Sequence, residues 1–253
     1  MAQQNAWVTG ASSGIGREVT LRLVGRDWRV LASARNGSAL EALERAGPGA
    51  GKVVPGPVDV TDGEAMTTLV NDFEARYGAI DTVILNAGDY RPMPAAEFSA
   101  ELCERLMAVN YQGVVNGIAA VLPGMLRRGR GEILINASVA GYRGLPLAAP
   151  YGASKAALIA LAESLRAELG DSGVQVRVIN PGFVKTSLTA QNPFKMPGLL
   201  TPEQAAESIV SRIGGRGFEI TFPVRFTWFL KLLRCLPYKL YFPLIRRITG
   251  IGR

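Results

Sequence analysis

Two side chains four residues apart, Tyr151 and Lys155, form the pair best suited to chemistry in this chain. They fall in a segment, 151–169, that is predicted to be a helix with Pro150 at its start, so both lie on one helix face. A free phenol has a pKa near ~10 and is a poor acid or base at neutrality. A nearby positive charge favours the phenolate, so the spacing predicts a Tyr151 whose pKa is lowered for acid–base work. The same spacing also arises by chance on helix faces, and the surrounding elements must distinguish the two cases.

A serine upstream of this pair comes shortly after a segment that is predicted to be buried. Ser138 follows the apolar run 133–135, which is typical of a buried strand. A hydroxyl leaving such a strand could hold a carbonyl oxygen beside the phenol of Tyr151. We therefore interpret Ser138 as a partner of the tyrosine–lysine pair.

Composition excludes several other kinds of site. The 253 residues include no histidine, which removes Ser-His-Asp triads, Cys-His pairs and histidine-ligated zinc. Cys103 and Cys235 stand in unrelated contexts and indicate neither a disulfide framework nor a metal site. The N-terminus leads into a strand without a signal segment, and no uncharged apolar run approaches the ~20 residues that span a bilayer. We expect one globular, cytoplasmic α/β domain that holds no metal.

Glycines near the N-terminus predict a site for a dinucleotide. A short strand at residues 6–9 is followed by Gly10, Gly14 and Gly16 and then by a helix that runs through residue 24. Glycines in this position let the backbone approach a pyrophosphate, and the helix N-terminus supplies N–H groups and a positive dipole.

The second strand, predicted at residues 29–33, ends in Ala34 and Arg35. A carboxylate at this point would bind the ribose 2′-hydroxyl of NAD, whereas a guanidinium suits a 2′-phosphate. The sequence therefore favours NADP over NAD, the alternative being that Arg35 is a solvated surface residue.

The remaining elements alternate between strands and helices, which is typical of a parallel, doubly wound sheet. Asp62 and Thr201 are predicted to cap helices, and a long helix at 100–128 is expected to be interrupted near Gly113 and Pro123, with Asn110 inside it. Further strands are predicted within residues 53–60, 82–85, 133–135, 175–179 and 218–221. In such a sheet ligands bind at the carboxyl ends of the strands, where these motifs lie.

These motifs, in this order, resemble the short-chain dehydrogenase/reductase family over about residues 5–221. The matching residues are Thr9, Gly10, Gly14, Ile15, Gly16, Asp59, Val60, Asn86, Ala87, Gly88, Asn110, Ser138, Tyr151, Lys155, Pro181, Gly182 and Thr186. Two positions differ from what members often carry: Leu85 replaces an asparagine, and Ser13 replaces the basic residue common in NADP-preferring members. The resemblance implies a single-domain Rossmann fold with a seven-stranded, mostly parallel sheet and helices on both faces.

The resemblance also implies a catalytic tetrad. Tyr151 would be the acid or base, Ser138 would position the carbonyl, Lys155 would hold the nicotinamide ribose and tune Tyr151, and Asn110 would hold a water that links Lys155 to solvent. The cofactor would be bound by Gly10, Ser12, Ser13, Gly14, Ile15, Gly16, Arg35, Asp59, Val60, Asn86, Ala87, Gly88, Tyr151, Lys155, Pro181, Gly182, Val184 and Thr186. The helices at 100–128 and 151–169 would pair across a two-fold axis, giving a homodimer or a homotetramer.

The expected function is NADP-dependent hydride transfer between the nicotinamide and a carbonyl or secondary alcohol. Substrate choice is assigned to residues 89–97, 140–150 and 183–200, which are mostly apolar and carry no cluster of cations. A lipophilic ketone is therefore expected, such as a steroid, a retinoid-like compound or a long-chain 3-oxoacyl compound. The alternative is a non-catalytic dinucleotide sensor or scaffold on the same fold.

The C-terminal tail, residues 222–253, lies outside the resemblance to the catalytic domain, residues 1–221. Residues 216–253 hold eight Lys or Arg and one Glu, so the net charge of +7 belongs to this end of the chain. Because the net charge of the catalytic domain is zero, we expect no nucleic-acid partner. Eight aromatic residues alternate with these bases, which predicts an amphipathic segment that could lie on a membrane surface. Alternatively, the tail covers the substrate cleft or contacts another subunit.

Overall fold

Seven strands form a single sheet in this computed structural model, and each pairs in parallel with its neighbours. They are β1 (Asn5–Thr9), β2 (Arg29–Ala34), β3 (Lys52–Pro57), β4 (Thr82–Leu85), β5 (Gly131–Asn136), β6 (Val174–Pro181) and β7 (Glu219–Phe222). The order β3-β2-β1-β4-β5-β6-β7 makes the chain wind outward in both directions from the middle of the sheet. This is the doubly wound fold, whose ligand cleft lies where the order reverses, between β1 and β4. The structure describes residues 3–48, 51–192, 194 and 196–250.

Nine α-helices are found among the described residues. They are α1 (Gly14–Val24), α2 (Gly37–Ala46), α3 (Gly63–Tyr77), α4 (Ala100–Met107), α5 (Gly113–Arg128), α6 (Ala149–Glu168), α7 (Pro202–Val210), α8 (Val224–Arg234) and α9 (Tyr238–Thr249). Buried side chains of α1, α2 and α7 pack on one face of the sheet, and those of α3, α5 and α6 pack on the other. The predicted single-domain arrangement with helices on both faces is therefore confirmed.

The alternation of side chains along β1 explains the two hydrophobic layers. Trp7 packs in the layer with α3, α5 and α6, whereas its neighbours Ala6 and Val8 pack in the layer with α1, α2 and α7. All three are fully buried. A central strand covered on both faces must be apolar at successive positions, which is why β1 reads as a continuous apolar run rather than an alternating one.

The third strand ends earlier than the apolar run 53–60 suggested. β3 stops at Pro57 and also contains Pro55, two residues that cannot donate to a ladder hydrogen bond. Both are tolerated because β3 is an edge strand of the sheet. Asp59 and Val60 therefore lie beyond the strand end, where parallel strands present residues to a ligand.

The long helix predicted at 100–128 is interrupted near Gly113, as expected, but not near Pro123. Residues Ala108–Gln112 form a π-helical turn between α4 and α5, just before Gly113, but the helix continues through Pro123 without a break. Met125, two residues further on, is fully buried. Packing of this last turn into the core compensates for the hydrogen bond that a proline removes.

Residues Ala100–Arg128 need a second correction, because an 18-residue window within this 29-residue stretch has a mean hydropathy of 1.2, and the stretch is apolar enough, by length and composition, to span a bilayer. Leu106, Val114, Ile118 and Val121 are buried. The stretch packs against the sheet and against α6, so part of its apolar surface is buried in the core of this fold.

The tail, predicted only as an amphipathic segment, forms two helices, α8 and α9. Pro223 and Pro237 stand directly before them, and Pro243 lies inside α9. The buried side chains of both helices belong to the same hydrophobic cluster as α6. The predicted domain boundary, between residues 221 and 222, falls just before the last residue of β7. Residues 193 and 195 of the predicted substrate loop and 251–253 of the tail lie outside the described residues.

Candidate active site

One cavity of about 1170 Å³ lies at the carboxyl ends of the strands. At one end, here called the cofactor end, it is lined by residues 10, 12–15, 34–36, 58–60 and 86–88. At the other end, here called the substrate end, it is lined mainly by Tyr90, Leu145, Pro146, Phe183, Leu188, Phe226, Phe229, Leu230, Leu233, Ile245 and Ile248. The cavity is also lined by Ser138, Tyr151 and Lys155. The three side chains that the sequence predicted to be catalytic therefore lie at the same cavity.

The turn after β1 is shaped to hold an anionic group. Gly10 and Gly14 have φ angles of +67° and +54°, which side chains rarely allow. The Ser13 side chain does not cap α1, so the first N–H groups of that helix remain open toward the cavity. These features fit the pyrophosphate of a dinucleotide. Gly16 does not line the cavity; a Cβ there would lie 2.3 Å from the Gly10 carbonyl oxygen, so it allows close packing.

Three strand ends are joined at the floor of the cavity through Asn86. Its backbone N–H donates to Thr9 Oγ1 at 2.9 Å and its side chain to the Thr9 carbonyl at 3.1 Å. Asn136 Nδ2 donates in turn to Asn86 Oδ1 at 2.8 Å. Asn86 thus fixes β1, β4 and β5 relative to one another. Sequence reasoning missed Asn136, whose only signal was its place at the end of a buried strand.

Arg35 and Asp59 lie together at the far side of the cofactor end. The backbone N–H of Thr61 donates to the Asp59 carboxylate, and this bond, with the Thr61 hydroxyl and the Arg35 charge, lowers the Asp59 pKa despite partial burial. The guanidinium of Arg35 is exposed and makes no hydrogen bond with the described residues. It is therefore available to a ligand in the cavity.

Close backbone approach brings Ser138 to Tyr151. The segment after β5 crosses α6 at Gly141, where a Cβ would lie 2.7 Å from the Lys155 backbone carbon. Only a glycine permits that contact, and it places the Ser138 hydroxyl where it hydrogen-bonds to the Tyr151 phenol. Ser138 Oγ also accepts from the Ala140 N–H at 3.1 Å, which orients the hydroxyl.

The predicted lowering of the Tyr151 pKa is wrong in direction. Burial raises the pKa of Tyr151 to about 12, and the hydrogen bond from Ser138 offsets only part of this effect. The neighbouring Tyr90 raises it further. Desolvation outweighs the cation four residues away because a phenolate loses most of its hydration in this site. Tyr151 is consequently a neutral phenol at physiological pH and is set up to donate a proton.

Lys155 is buried, and its ammonium donates to the Asn136 carbonyl oxygen at 2.7 Å. Its Nζ lies 5.7 Å from the centre of the Tyr151 ring. Burial lowers the pKa of Lys155 to about 7, because the cost of desolvating an ammonium exceeds what one carbonyl returns. Lys155 therefore changes its charge near neutrality.

Asn110 lies in the π-helical turn and is fully buried. Its Nδ2 donates to Ser154 Oγ and to the Asp89 carbonyl, both at 3.0 Å, and its Oδ1 accepts from the Asp89 N–H at 2.7 Å. A Cβ on Gly88 would lie 3.2 Å from Asn110 Oδ1 and 3.7 Å from Lys155 Nζ. The two side chains are thus near neighbours, although Asn110 does not itself line the cavity. The water predicted to join them stays a prediction.

Tyr90 is a site residue that sequence reasoning did not single out. Its ring meets the Tyr151 ring edge-on, with centroids 4.9 Å apart. Its hydroxyl donates to Asn192 Oδ1 at 2.7 Å, which joins the segment after β4 to the loop after β6. The signal available was position, since Tyr90 follows the Asn86–Gly88 motif by two residues. Nothing in the spacing showed that it would contact Tyr151.

The segment after β6 completes the wall of the cavity. Pro181, Gly182, Val184 and Thr186 all line it, as predicted for residues near the nicotinamide. The backbone N–H of Thr186 donates to Thr189 Oγ1 at 3.0 Å, which closes a tight turn at the cavity edge. Of the residues predicted to form the site, only Gly16 and Asn110 stand behind the cavity wall; all the others line it.

Comparison with known proteins identifies the family. The model of the short-chain dehydrogenase family matches residues 4–196. An uncharacterized oxidoreductase of Myxococcus xanthus is 38% identical over 98% of this chain and 98% of its own length. The 3-oxoacyl-(acyl-carrier-protein) reductase FabG of Thermotoga maritima is 32% identical over 81% of this chain and 80% of its own. The structure of an alcohol dehydrogenase from Thermococcus sibiricus, complexed with 5-hydroxy-NADP, has a TM-score of 0.79 at 26% identity and covers 87% of this chain and 96% of that one.

The chain belongs to the short-chain dehydrogenase/reductase family. It is an oxidoreductase that uses a nicotinamide dinucleotide, as the glycine turn at the cofactor end and the Ser138, Tyr151 and Lys155 group indicate. The predicted family, fold and enzyme class are confirmed.

Proposed function

We propose that this enzyme is an NADP-dependent reductase that converts a lipophilic ketone to a secondary alcohol. The observation that supports this most directly is the neutral, half-buried phenol of Tyr151, hydrogen-bonded to Ser138 at the start of a largely apolar substrate end. A phenol whose pKa is about 12 holds its proton at neutral pH and can give it to a carbonyl oxygen.

The preference for NADP rests on the end of β2. Ala34 offers no carboxylate to a ribose 2′-hydroxyl, and the exposed, cavity-lining Arg35 guanidinium suits a 2′-phosphate. The relative from Thermococcus sibiricus was solved with an NADP analogue, which agrees with this preference.

When bound, the nicotinamide supplies the hydride that reaches the carbonyl carbon. Tyr151 Oη donates its proton to the carbonyl oxygen, which becomes the hydroxyl of the product, and Ser138 Oγ holds that oxygen in place. The ammonium form of Lys155 stabilises the phenolate that Tyr151 leaves behind. The predicted role of Asn110 is to hold the water through which a proton returns to Lys155.

The proposed substrate class follows from the walls of the substrate end. Phe183 contacts Phe226 of α8, with ring centroids 5.5 Å apart, and Leu230 and Leu233 extend the apolar surface. These apolar walls suit a steroid, a retinoid-like compound or a long-chain 3-oxoacyl compound, the last being the class named for FabG of Thermotoga maritima.

No histidine exists in the chain, and no convergent set of three Cys, Asp or Glu side chains that could hold a metal ion is found among the described residues.

The test is NADPH oxidation with ketones matched in chemistry and graded in chain length. A series of 3-oxoacyl thioesters, a steroid ketone and small ketones such as acetone should show kcat/KM rising with apolar size, since each buried CH₂ contributes about 0.8 kcal/mol. The Tyr151→Phe variant is the control for non-enzymatic oxidation. Tight NADPH binding with no turnover of any of these compounds would instead support a dinucleotide sensor.

A further inference from the structure

The two tail helices present an inner face that is firmly held by the body. Leu230, Leu233, Tyr241 and Ile245 are all less than a tenth exposed and pack in the cluster that includes α6. The contact is apolar, and it closes one side of the substrate end.

A single arginine fixes the end of α8 and the start of α9. Arg143, in the segment after Ser138, donates to the carbonyls of Leu233 at 2.7 Å and Leu236 at 2.6 Å. Its guanidinium also lies 3.8 Å from the centre of the Tyr241 ring, and Tyr241 Oη donates to the Gly144 carbonyl at 2.5 Å. The helix pair is thus joined to the segment that carries Ser138.

The outer face of the same helices has the opposite character. Trp228 is 60% exposed, Leu232 65% and Tyr238 69%. Val224, Phe229, Leu240, Phe242 and Ile248 are also exposed. Large apolar side chains concentrated in this way on two short helices mark a surface that is normally covered.

The charge on this outer face is of one sign. Residues 222–253 contain seven Lys or Arg and no Asp or Glu, whereas residues 1–221 are neutral. Arg225, Arg234, Lys239, Arg246 and Arg247 are exposed. Exposed aliphatic and aromatic groups beside unopposed cations complement a surface that has an apolar interior and anionic head groups.

The substrate end of the cavity reaches this outer face. Phe229 of α8 and Ile248 and Thr249 of α9 line the cavity and are nevertheless exposed, so they stand at its rim. An apolar opening therefore leads from the outer face, between the two tail helices, toward Tyr151.

We propose that the outer face of α8 and α9 docks on an anionic lipid bilayer and that the rim at Phe229 and Ile248 admits lipophilic substrate from it. The entry route rests on the proposed function, whereas the docking does not. A second copy of the chain fits this face poorly, because a two-fold contact would set cations against cations with no carboxylate between them. A nucleic acid is disfavoured because the exposed aromatic side chains are interspersed with the aliphatic Leu232, Leu240 and Ile248, on which bases do not stack and which would remain in water.

The docking is tested by co-flotation with phosphatidylcholine vesicles, with and without phosphatidylglycerol. Full-length protein should float with anionic vesicles at low salt and dissociate as salt rises. The triple variant Lys239→Glu, Arg246→Glu, Arg247→Glu should bind at least about 100-fold more weakly, since three cations are lost and three anions added. The matched control, Arg45→Glu, Lys52→Glu, Arg76→Glu, makes the same charge change near the opposite edge of the sheet and should keep its affinity.

Three outcomes would overturn the docking: full-length protein that ignores anionic vesicles at low salt, equal weakening in both triple variants, or binding that does not respond to salt. If vesicles are ignored and Trp228→Ser with Leu232→Ser dissociates an oligomer in light scattering, the face is a subunit contact. None of these outcomes touches reductase activity, so the proposed function can survive them.

The entry route is tested with one long-chain ketone embedded in anionic vesicles and one short ketone in solution. Ile248→Trp should narrow the rim and lower, severalfold, the ratio of kcat/KM for the embedded ketone to that for the soluble one. The control is Leu240→Trp, which changes an exposed residue of the same helix that does not line the cavity. An equal ratio in both variants would overturn the route even if docking is intact.

Discussion

The two ends of the cavity are built by different means. At the cofactor end the walls are strand termini and a glycine turn, held together by bonds such as those from Asn86 to Thr9. At the substrate end the walls are side chains from loops and from α8, including the Phe183–Phe226 contact. The first end is shaped by backbone and the second by side chains.

This difference teaches where the two kinds of specificity reside. A phosphate is recognised by N–H groups and φ angles, which require small residues at fixed positions such as Gly10 and Gly14. An apolar substrate is recognised by the size and shape of side chains that arrive from distant parts of the chain. Substitutions at one end of the cavity should therefore leave binding at the other end largely unaffected. Substitution of Tyr151, which lies between the two ends, should remove the catalytic step without weakening binding at either end.

The largest expected effect is that of Tyr151→Phe. Removing the proton donor should lower kcat by at least ~100-fold, while the Kd for NADPH, measured by fluorescence titration, changes little. Tyr90→Phe is the matched control, because it removes a hydroxyl from the adjoining ring but not from the proposed donor. Normal turnover by Tyr151→Phe would contradict the mechanism, and loss of NADPH binding would contradict the separation of the two ends.

The next effect concerns the cofactor end alone. Arg35→Ala should weaken NADPH by about tenfold to a hundredfold, the value of one charge-assisted contact of ~1.5–3 kcal/mol, and leave NADH nearly unchanged. KM for the ketone should not move. Arg45→Ala, an exposed arginine on α2, serves as control. Equal weakening of both cofactors would show that Arg35 does not read the 2′-phosphate.

The pH is expected to have a smaller effect on the affinity for NADPH, through the titration of Lys155. Its pKa of about 7 lies below the usual value for lysine, so in the free enzyme the ammonium is lost as pH rises through neutrality. An anionic dinucleotide favours the ammonium, and the affinity for NADPH should therefore fall above pH 7, by up to about tenfold per pH unit. Lys155→Met should abolish the dependence, whereas Arg35→Ala should keep it, because arginine does not titrate in this range. A Kd that is constant across this range would contradict the assignment.

The assembly of subunits is expected to have the smallest effect on binding at the two ends of the cavity. Less than half of the apolar stretch from α4 to α5 is buried in the single chain, which leaves surface for a partner subunit. We predict a homodimer or a dimer of dimers formed through α4, α5 and α6. Light scattering that shows a monomer at micromolar concentration would rule this out and would leave the tail as the main exposed apolar surface.

Much of the fold and of the cofactor end was predictable because their signals are local. Asp62 and Thr201 cap α3 and α7 as expected, since a cap depends on residues within one turn. The contact of Tyr90 with Tyr151 was not predictable, because it joins residues far apart in sequence. The direction of the Tyr151 pKa shift failed for a related reason: charge spacing on a helix is visible in sequence, but the burial that outweighs it is not.

The π-helical turn at Ala108–Gln112 has a consequence for how this chain tolerates insertions and deletions. Such a turn contains one residue more than an α-helical turn requires. Deleting the extra residue should let α4 and α5 join as one regular helix in nearly the same relative orientation, whereas a deletion elsewhere in either helix would rotate the part that follows by about 100°. The loss would fall on the turn itself, where Asn110 would no longer contact both Ser154 and the Asp89 backbone. Shortening the turn by one residue should therefore preserve the fold and remove the contacts of Asn110.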